Sequence, residues 1–340
     1  MSEPVLSVRN LRVEFPTRRA RLVAIDDVSF DILPGEVLGM VGESGAGKSV
    51  TGTAIVGLIE PPGRIAGGEI RLRGSRIDNL PPAAMRRIRG KRIGMVFQDP
   101  LTSLDPLYRI GDQLMETIAT HSDLRGPELR RRALELLSEV GIPAPEMRLD
   151  NYPHQFSGGM RQRVVLALAV AADPELVIAD EPTTALDVSV QAQIITLMKR
   201  LAQRHHAAIL LITHDMGVIA EAADRVAVMY AGRIVEIGSV RDVLQAPLHP
   251  YTRGLMGSIP KLEGGLDRLV QIPGSMPRLT AIPGGCPFHP RCPHAFAPCP
   301  TERPDLRAHA SARVACWLYE QQPPSQGVVA RGGAQSEASP

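Results

Sequence analysis

The chain has 340 residues, 44% of them hydrophobic, and a formal net charge of +2. That suffices for one large domain plus a smaller one and gives no bulk-charge argument for nucleic-acid binding. The longest strongly apolar run, residues 164–172, is far too short to span a bilayer, and the start of the chain lacks a signal-peptide h-region, so the sequence predicts a cytosolic protein.

Residues 5–33 hold two or three strand-like runs, among them 23–25 and 28–32, and their alternation predicts one solvated face. Between them, residues 15–19 read as a loop. Its Phe15 either stacks on a nucleotide base or packs in the edge sheet. Residues 36–41 form an apolar run expected of a buried parallel strand. Gly42, Glu43, Ser44, Gly45, Ala46, Gly47, Lys48 and Ser49 follow and spell G-x-x-x-x-G-K-S. Glycine lets the backbone wrap closely around phosphate. Successive N–H groups make an anion nest, and a helix predicted over 50–59 adds its positive end. Lys48 can then reach the β- and γ-phosphates, and Ser49 can hold Mg²⁺.

Strands are predicted over 67–72 and 92–97. The second ends at Gln98, which either faces a ligand or starts a turn before Pro100. Residues 110–120 and 127–140 have helical spacing and suggest a helical subdomain inserted in an α/β sheet. Ser157, Gly158 and Gly159 then open a helix, as a second anion-binding terminus or as an ordinary N-cap. Residues 176–181 read as a buried strand ending in Asp180 and Glu181. At such a strand end an aspartate can hold Mg²⁺, and the next glutamate can orient or deprotonate water. Asp187 precedes a helix over 188–204. A buried strand over 208–213 ends at His214, which either reaches the γ-phosphate or the glutamate, or caps the next helix. Residues 223–236 read as a hairpin around Ala231 and Gly232.

In order and approximate spacing, the P-loop, Gln98, Phe156-Ser157-Gly158-Gly159-Met160, Asp180-Glu181, Ala185-Leu186-Asp187 and His214 resemble the Walker A, Q-loop, signature, Walker B, D-loop and H-loop of ATP-binding cassette (ABC) ATPases. The resemblance covers residues 5–245. It implies a P-loop core with a mostly parallel sheet, an antiparallel β subdomain and a helical subdomain at about 100–172. The family's commonest signature is Leu-Ser-Gly-Gly-Gln, from which Phe156 and Met160 depart, while the phosphate-facing Ser157 and glycines are kept. The resemblance further implies Mg²⁺ held through Ser49, Gln98 and Asp180, with Glu181 as general base, His214 at the γ-phosphate and Gln98 as its sensor. Two subunits would close head to tail on two ATP molecules, each between one P-loop and the partner's Ser157, Gly158, Gly159 and Asp187.

Beyond residue 246 the composition changes: twelve of the thirty prolines fall between Pro247 and Pro304. His249-Pro250-Tyr251-Thr252 resembles the extension, here residues 246–320, of oligopeptide and dipeptide importer ATPases, a group that includes nickel importers. The resemblance implies two membrane permeases, an extracytoplasmic binding protein, a second related ATPase, no nucleic acid, and a place on the cytoplasmic face of the membrane. A soluble cassette ATPase acting on ribosomes or DNA is the alternative, but it usually carries two cassettes or a coiled-coil insertion. A P-loop metal-sensing regulator would not need Ser157-Gly158-Gly159. Cys286, Cys292, Cys299 and Cys316 are spaced by five, six and sixteen residues, and three precede proline. The spacing is looser than paired zinc ligands. The resemblance implies a [4Fe–4S] cluster, ahead of zinc with His289 or His294, and ahead of four free thiols. Residues 321–340 read as a disordered tail.

Overall fold

The computed structural model of the chain describes residues 3–18, 20–184, 186–258 and 271–320. The tail expected to be disordered, residues 321–340, lies outside these, as do Ile259 and Pro260 of the extension and Ala185 beside Asp187.

Strand β1 (Leu6–Pro16) pairs antiparallel with β2 (Arg21–Ile32). Phe15 and Pro16 therefore belong to a strand, and the short runs expected over 21–32 are one strand with shifts of register. Strand β3 (Val37–Val41) leads through the P-loop into helix α1 (Lys48–Ile55). That helix ends four residues before the expected 59, where Gly57 turns the backbone left-handed at φ +62°. β4 (Arg64–Leu72) and the short β5 (Ser75–Arg76) complete a four-stranded antiparallel sheet in the order β2-β1-β4-β5.

After α2 (Pro82–Ile88) and β6 (Ile93–Val96) comes the helical insertion: α3 (Pro100–Ser103), α4 (Ile110–His121), α5 (Pro127–Glu139), α6 (Pro145–Arg148) and α7 (Gly158–Val170). Ile110, Leu114 and Ile118 on α4 and Ala133, Leu136 and Leu137 on α5 are almost wholly buried. Their three-to-four spacing puts each set on one face, so the two helices close on each other. The four consecutive residues Val164 to Ala167 on α7 are buried too, because that helix lies between the insertion and the main sheet.

β7 (Leu176–Asp180), α8 (Val188–His205), β8 (Ala208–Ile212), α9 (Met216–Ala222), β9 (Arg225–Tyr230) and β10 (Arg233–Ser239) follow. Every residue of β3, β7 and β8 is buried, as strands covered on both faces must be. They belong to an eight-stranded sheet in which β9-β3-β8-β7-β6 run parallel. β10 returns antiparallel to β9 through Ala231 and Gly232, both at positive φ.

The C-terminal extension is sewn into this sheet. After α10 (Val240–Gln245) and α11 (Pro250–Gly257), the chain returns as β11 (Arg307–His309) and β12 (Ala312–Val314), and β12 adds to β10. Asp26 on β2 binds Arg12, Arg233 and Arg303, so one carboxylate joins the antiparallel sheet, the main sheet and the extension. Burial alone would raise the Asp26 pKa, but these guanidinium groups hold it below its ordinary value. Tyr230, Tyr251 and Phe288 pack as a buried aromatic set with ring centroids 4.7, 5.2 and 5.4 Å apart. Among the described residues no helix is long and apolar enough to cross a membrane.

The seat of α7 on the sheet depends on a bare backbone. A Cβ on Gly94 of β6 would collide with the carbonyl oxygen of Ala169. Gly94→Ala is expected to destabilise the chain by about 1–3 kcal/mol, the usual effect of overpacking, read as a lowered midpoint in thermal or urea unfolding.

Candidate functional site

The parallel order brings three strand ends to one edge. β3 ends at the P-loop, β7 at Asp180 and β8 just before His214, and β8 lies between the other two. This is where ligands bind in open α/β sheets.

Within the P-loop, Gly42, Gly45 and Gly47 have φ of +154°, +83° and +106°. At Gly42 a Cβ would strike the carbonyl of Met229, and at Gly47 it would come within 2.7 Å of Ile25. These two positions need glycine for space as well as for conformation. Lys48 is almost buried and donates to the carbonyls of Gly42 (2.8 Å) and Glu43 (3.2 Å). Burial pushes its pKa down, against the attraction of Glu181, Asp180 and Glu43. Phosphate oxygens are the natural partners for such a buried cation.

The Ser49 hydroxyl donates to Asp180 Oδ1 at 3.0 Å. Burial raises the Asp180 pKa above its ordinary value, only partly offset by Ser49 and Lys48. A hydroxyl and a carboxylate side by side are hard oxygen donors suited to Mg²⁺, and a divalent cation would favour the ionised aspartate. The residues present therefore fit the metal that the sequence implies.

Glu181 follows β7 with φ +47°, a left-handed conformation uncommon outside glycine. Its side chain collects three partners: Gln98 Nε2 at 3.0 Å, Thr184 Oγ1 at 3.0 Å and His214 Nδ1 at 3.2 Å. Burial alone would raise its pKa, but the bonds from His214 and Thr184 leave it lowered. It is thus an ionised carboxylate, oriented on three sides, at the edge where a P-loop ligand would sit. Gln98 faces Glu181 rather than the Ser49–Asp180 pair. His214 is exposed and does not cap α9; Asp215 does that through Gly217 N.

Two expected groups lie apart from this cluster. Ser157 caps α7 by accepting from Met160 N, and Ser157 and Gly158 are exposed. A Cβ on Gly158 or Gly159 would meet Leu186 or Val190 rather than the P-loop. Asp187 is exposed at the N-cap of α8, with no capping bond from its side chain. Phe15 also stands aside. Its ring lies against Gly63, where a Cβ would come within 2.5 Å of it. The cavity at the P-loop, about 700 Å³, is bounded by Ala24, Ser44, Gly45, Gly47 and Val50, and across from them by residues 276–280 of the extension. Phe15 does not line it.

The sequence reading missed Thr184, residues 276–280, and two residues that grip the P-loop from the extension. The Tyr251 hydroxyl accepts from the backbone N–H of Glu43 at 2.8 Å, and Arg291 forms a two-pronged ion pair with the Glu43 carboxylate. Tyr251 was visible only as part of a family motif, and nothing in the local pattern marks Arg291.

All four cysteines are free, and all line one enclosed cavity with His249, His289 and His294. Its volume is about 10 Å³, no more than one water needs. Burial favours the neutral thiols of Cys286, Cys292 and Cys316 and pushes Cys286 and Cys316 up to about 11. Among the described residues no group of three or more His, Cys, Asp or Glu is arranged to hold a metal ion. The cysteines converge on one small cavity, and in this packing the described residues do not present them as a metal site.

Comparison with known proteins agrees with this geometry. The family described as ABC transporter matches residues 25–184, and that described as oligopeptide/dipeptide transporter, C-terminal region, matches 235–299. The oligopeptide transport ATP-binding protein AppD of Bacillus subtilis (strain 168) is 47% identical over 320 residues, 94% of this chain and 98% of that protein. The dipeptide transport ATP-binding protein DppD of Escherichia coli (strain K12) is 46% identical over 309 residues, 91% of this chain and 94% of that one. Among solved structures, the dimeric post-hydrolysis state of the ATP-binding cassette MJ0796 bound to ADP and Pi is similar, with a TM-score of 0.62 and 28% identity over 69% of this chain and 99% of that one. The cassette thus matches in sequence and in fold and the C-terminal extension in sequence, and the chain belongs to the ATP-binding proteins of the ABC transporter family, in the oligopeptide/dipeptide group.

Proposed function

We propose that the chain is the ATP-hydrolysing subunit that powers import of dipeptides, oligopeptides or a related solute through a membrane transporter. The observation that carries the catalytic part is the convergence of Gln98, Thr184 and His214 on Glu181 next to the Ser49–Asp180 pair. The peptide part rests on the relatives, which are named for oligopeptide and dipeptide transport.

In this reading the P-loop amides and Lys48 hold the β- and γ-phosphates, and Ser49 and Asp180 hold Mg²⁺. The ionised Glu181 orients the attacking water and accepts its proton. His214 steadies that carboxylate and would reach the γ-phosphate of a bound nucleotide. Gln98 reports the state of Glu181 to the helical insertion that follows it. The exposed Ser157 and Gly158, with Gly159 and Asp187, complete the P-loop site of a second ATPase subunit, since a helix N-terminus binds phosphate well. The dimeric MJ0796 cassette supports such a pairing. The partner is a related but different ATPase, and the pair docks peripherally on two permeases at the cytoplasmic face, fed by an extracytoplasmic binding protein. The four cysteines would hold a structural [4Fe–4S] cluster, a reading supported by four free thiols around one cavity, which has to open to admit it.

Glu181→Gln is expected to keep Mg-ATP binding and to lower hydrolysis by about 10²–10⁴-fold, the usual contribution of a positioned base; turnover near the wild-type rate would remove Glu181 from that role. His214→Ala is expected to lower kcat by about ten- to a hundredfold, the worth of one hydrogen bond to a charged group, with little change in KM for ATP. Anaerobic purification is expected to give about four irons and four acid-labile sulfides per chain. Zinc alone, or no metal after anaerobic reconstitution, would exclude the cluster.

A further inference from the structure

The P-loop is held from outside the cassette core, at Glu43. This residue carries a carboxylate inside a loop whose task, in the ATPase reading above, is to bind a polyanion. An unpaired negative charge there would oppose phosphate. It is not unpaired: Arg291 Nη1 lies 2.9 Å from Oε2 and Nη2 lies 3.0 Å from Oε1, the parallel geometry that makes such pairs strong. The Arg291 side chain is 8% exposed and that of Glu43 28% exposed, so water screens the pair less than a surface bridge. The backbone N–H of the same Glu43 is fixed by the buried Tyr251 hydroxyl.

Arg291 is itself rigidly seated. Its guanidinium lies over the rings of Tyr230 and Phe288 at 5.8 and 6.0 Å. Its Nε donates to the carbonyl of Pro273 at 2.7 Å, and Nη2 lies 3.4 Å from that of Ile272. The stretch beginning there continues into residues 276–280, which form the far wall of the P-loop cavity. Arg291 also ends the 3₁₀ turn His289–Arg291, between Cys286 and Cys292. One side chain therefore connects the cysteine-bearing turn, the cavity wall and the phosphate loop.

We propose that Arg291 and Tyr251 are positioning residues for nucleotide binding. Acting through Glu43, they hold the P-loop in its binding conformation and neutralise its acidic residue, so ATP affinity depends on the docked C-terminal extension. This rests on the ATPase reading, and its failure is separable from failure of that reading.

The test compares the full-length chain with Tyr251→Phe, Arg291→Met and Glu43→Gln, measuring equilibrium binding of Mg-ATP, then kcat and KM. Wild type binds Mg-ATP; a wild type that does not bind overturns the ATPase reading and this proposal together. Tyr251→Phe and Arg291→Met weaken ATP binding by about three- to thirtyfold, raising KM far more than they change kcat. Glu43→Gln removes the charge and its pair together, so adding Arg291→Met to it weakens binding little further. Three folded variants with wild-type affinity would overturn the proposal, even if their melting temperatures fell. So would a loss confined to kcat, or independent, additive effects of Glu43→Gln and Arg291→Met. Tyr251→Phe deletes a single oxygen and carries the test if Arg291→Met does not fold.

Discussion

A loop that offers bare backbone N–H groups to a phosphate has to be held in shape by something other than those groups. Unpaired amides disfavour a fixed conformation, and three left-handed glycines give the loop wide freedom when unfolded. The fold meets this constraint from several sides. Lys48 binds the carbonyls of Gly42 and Glu43 from within. Gly232, at the β9–β10 turn, donates to the carbonyl of Ala46. Tyr251 and Arg291 hold Glu43 from the extension. The carbonyls of Gly42, Glu43, Ala46 and Gly47 and the side chains of Glu43, Lys48 and Ser49 are thus all bonded.

A second consequence is electrostatic. Asp180, Glu181 and Glu43 lie around one buried lysine, which is too little positive charge for three carboxylates and none for an incoming phosphate. Burial raises the Asp180 pKa, with Glu181 adding to the rise, and burial lowers that of Lys48 against the pull of the carboxylates. Glu43 is paired with Arg291, and the ionised Glu181 is held by its hydrogen-bond donors. Asp180 is left with a hydroxyl, and that is where a magnesium ion has most to contribute. The site is thus organised for a nucleotide that arrives with its metal.

The extension is continuous with the core. β12 lengthens the main sheet, Arg303 joins the Asp26 cluster, and the Tyr230–Tyr251–Phe288 set seals the seam. The cysteines line one small cavity, and the turn between Cys286 and Cys292 ends at the residue that grips Glu43.

Local pattern determined much of this protein. The P-loop, the buried strands before Asp180 and His214, the α4 and α5 helices and the Ser157 cap were legible because each rests on short-range chemistry: glycine conformations, apolar runs, three-to-four spacing and an N-cap. Family likeness added the order of motifs and the identity of the extension. What the sequence by itself left open were meetings between residues far apart in the chain. Phe15 reads equally as a stacking or a packing ring, and the fold sets one edge of it against Gly63. Gln98 was a turn residue or a ligand until it met Glu181, 83 positions away. Arg291 lies 248 positions from Glu43, with no periodicity to link them. Such contacts depend on strand order and on the path of the extension across the sheet, and only the tertiary structure decided them.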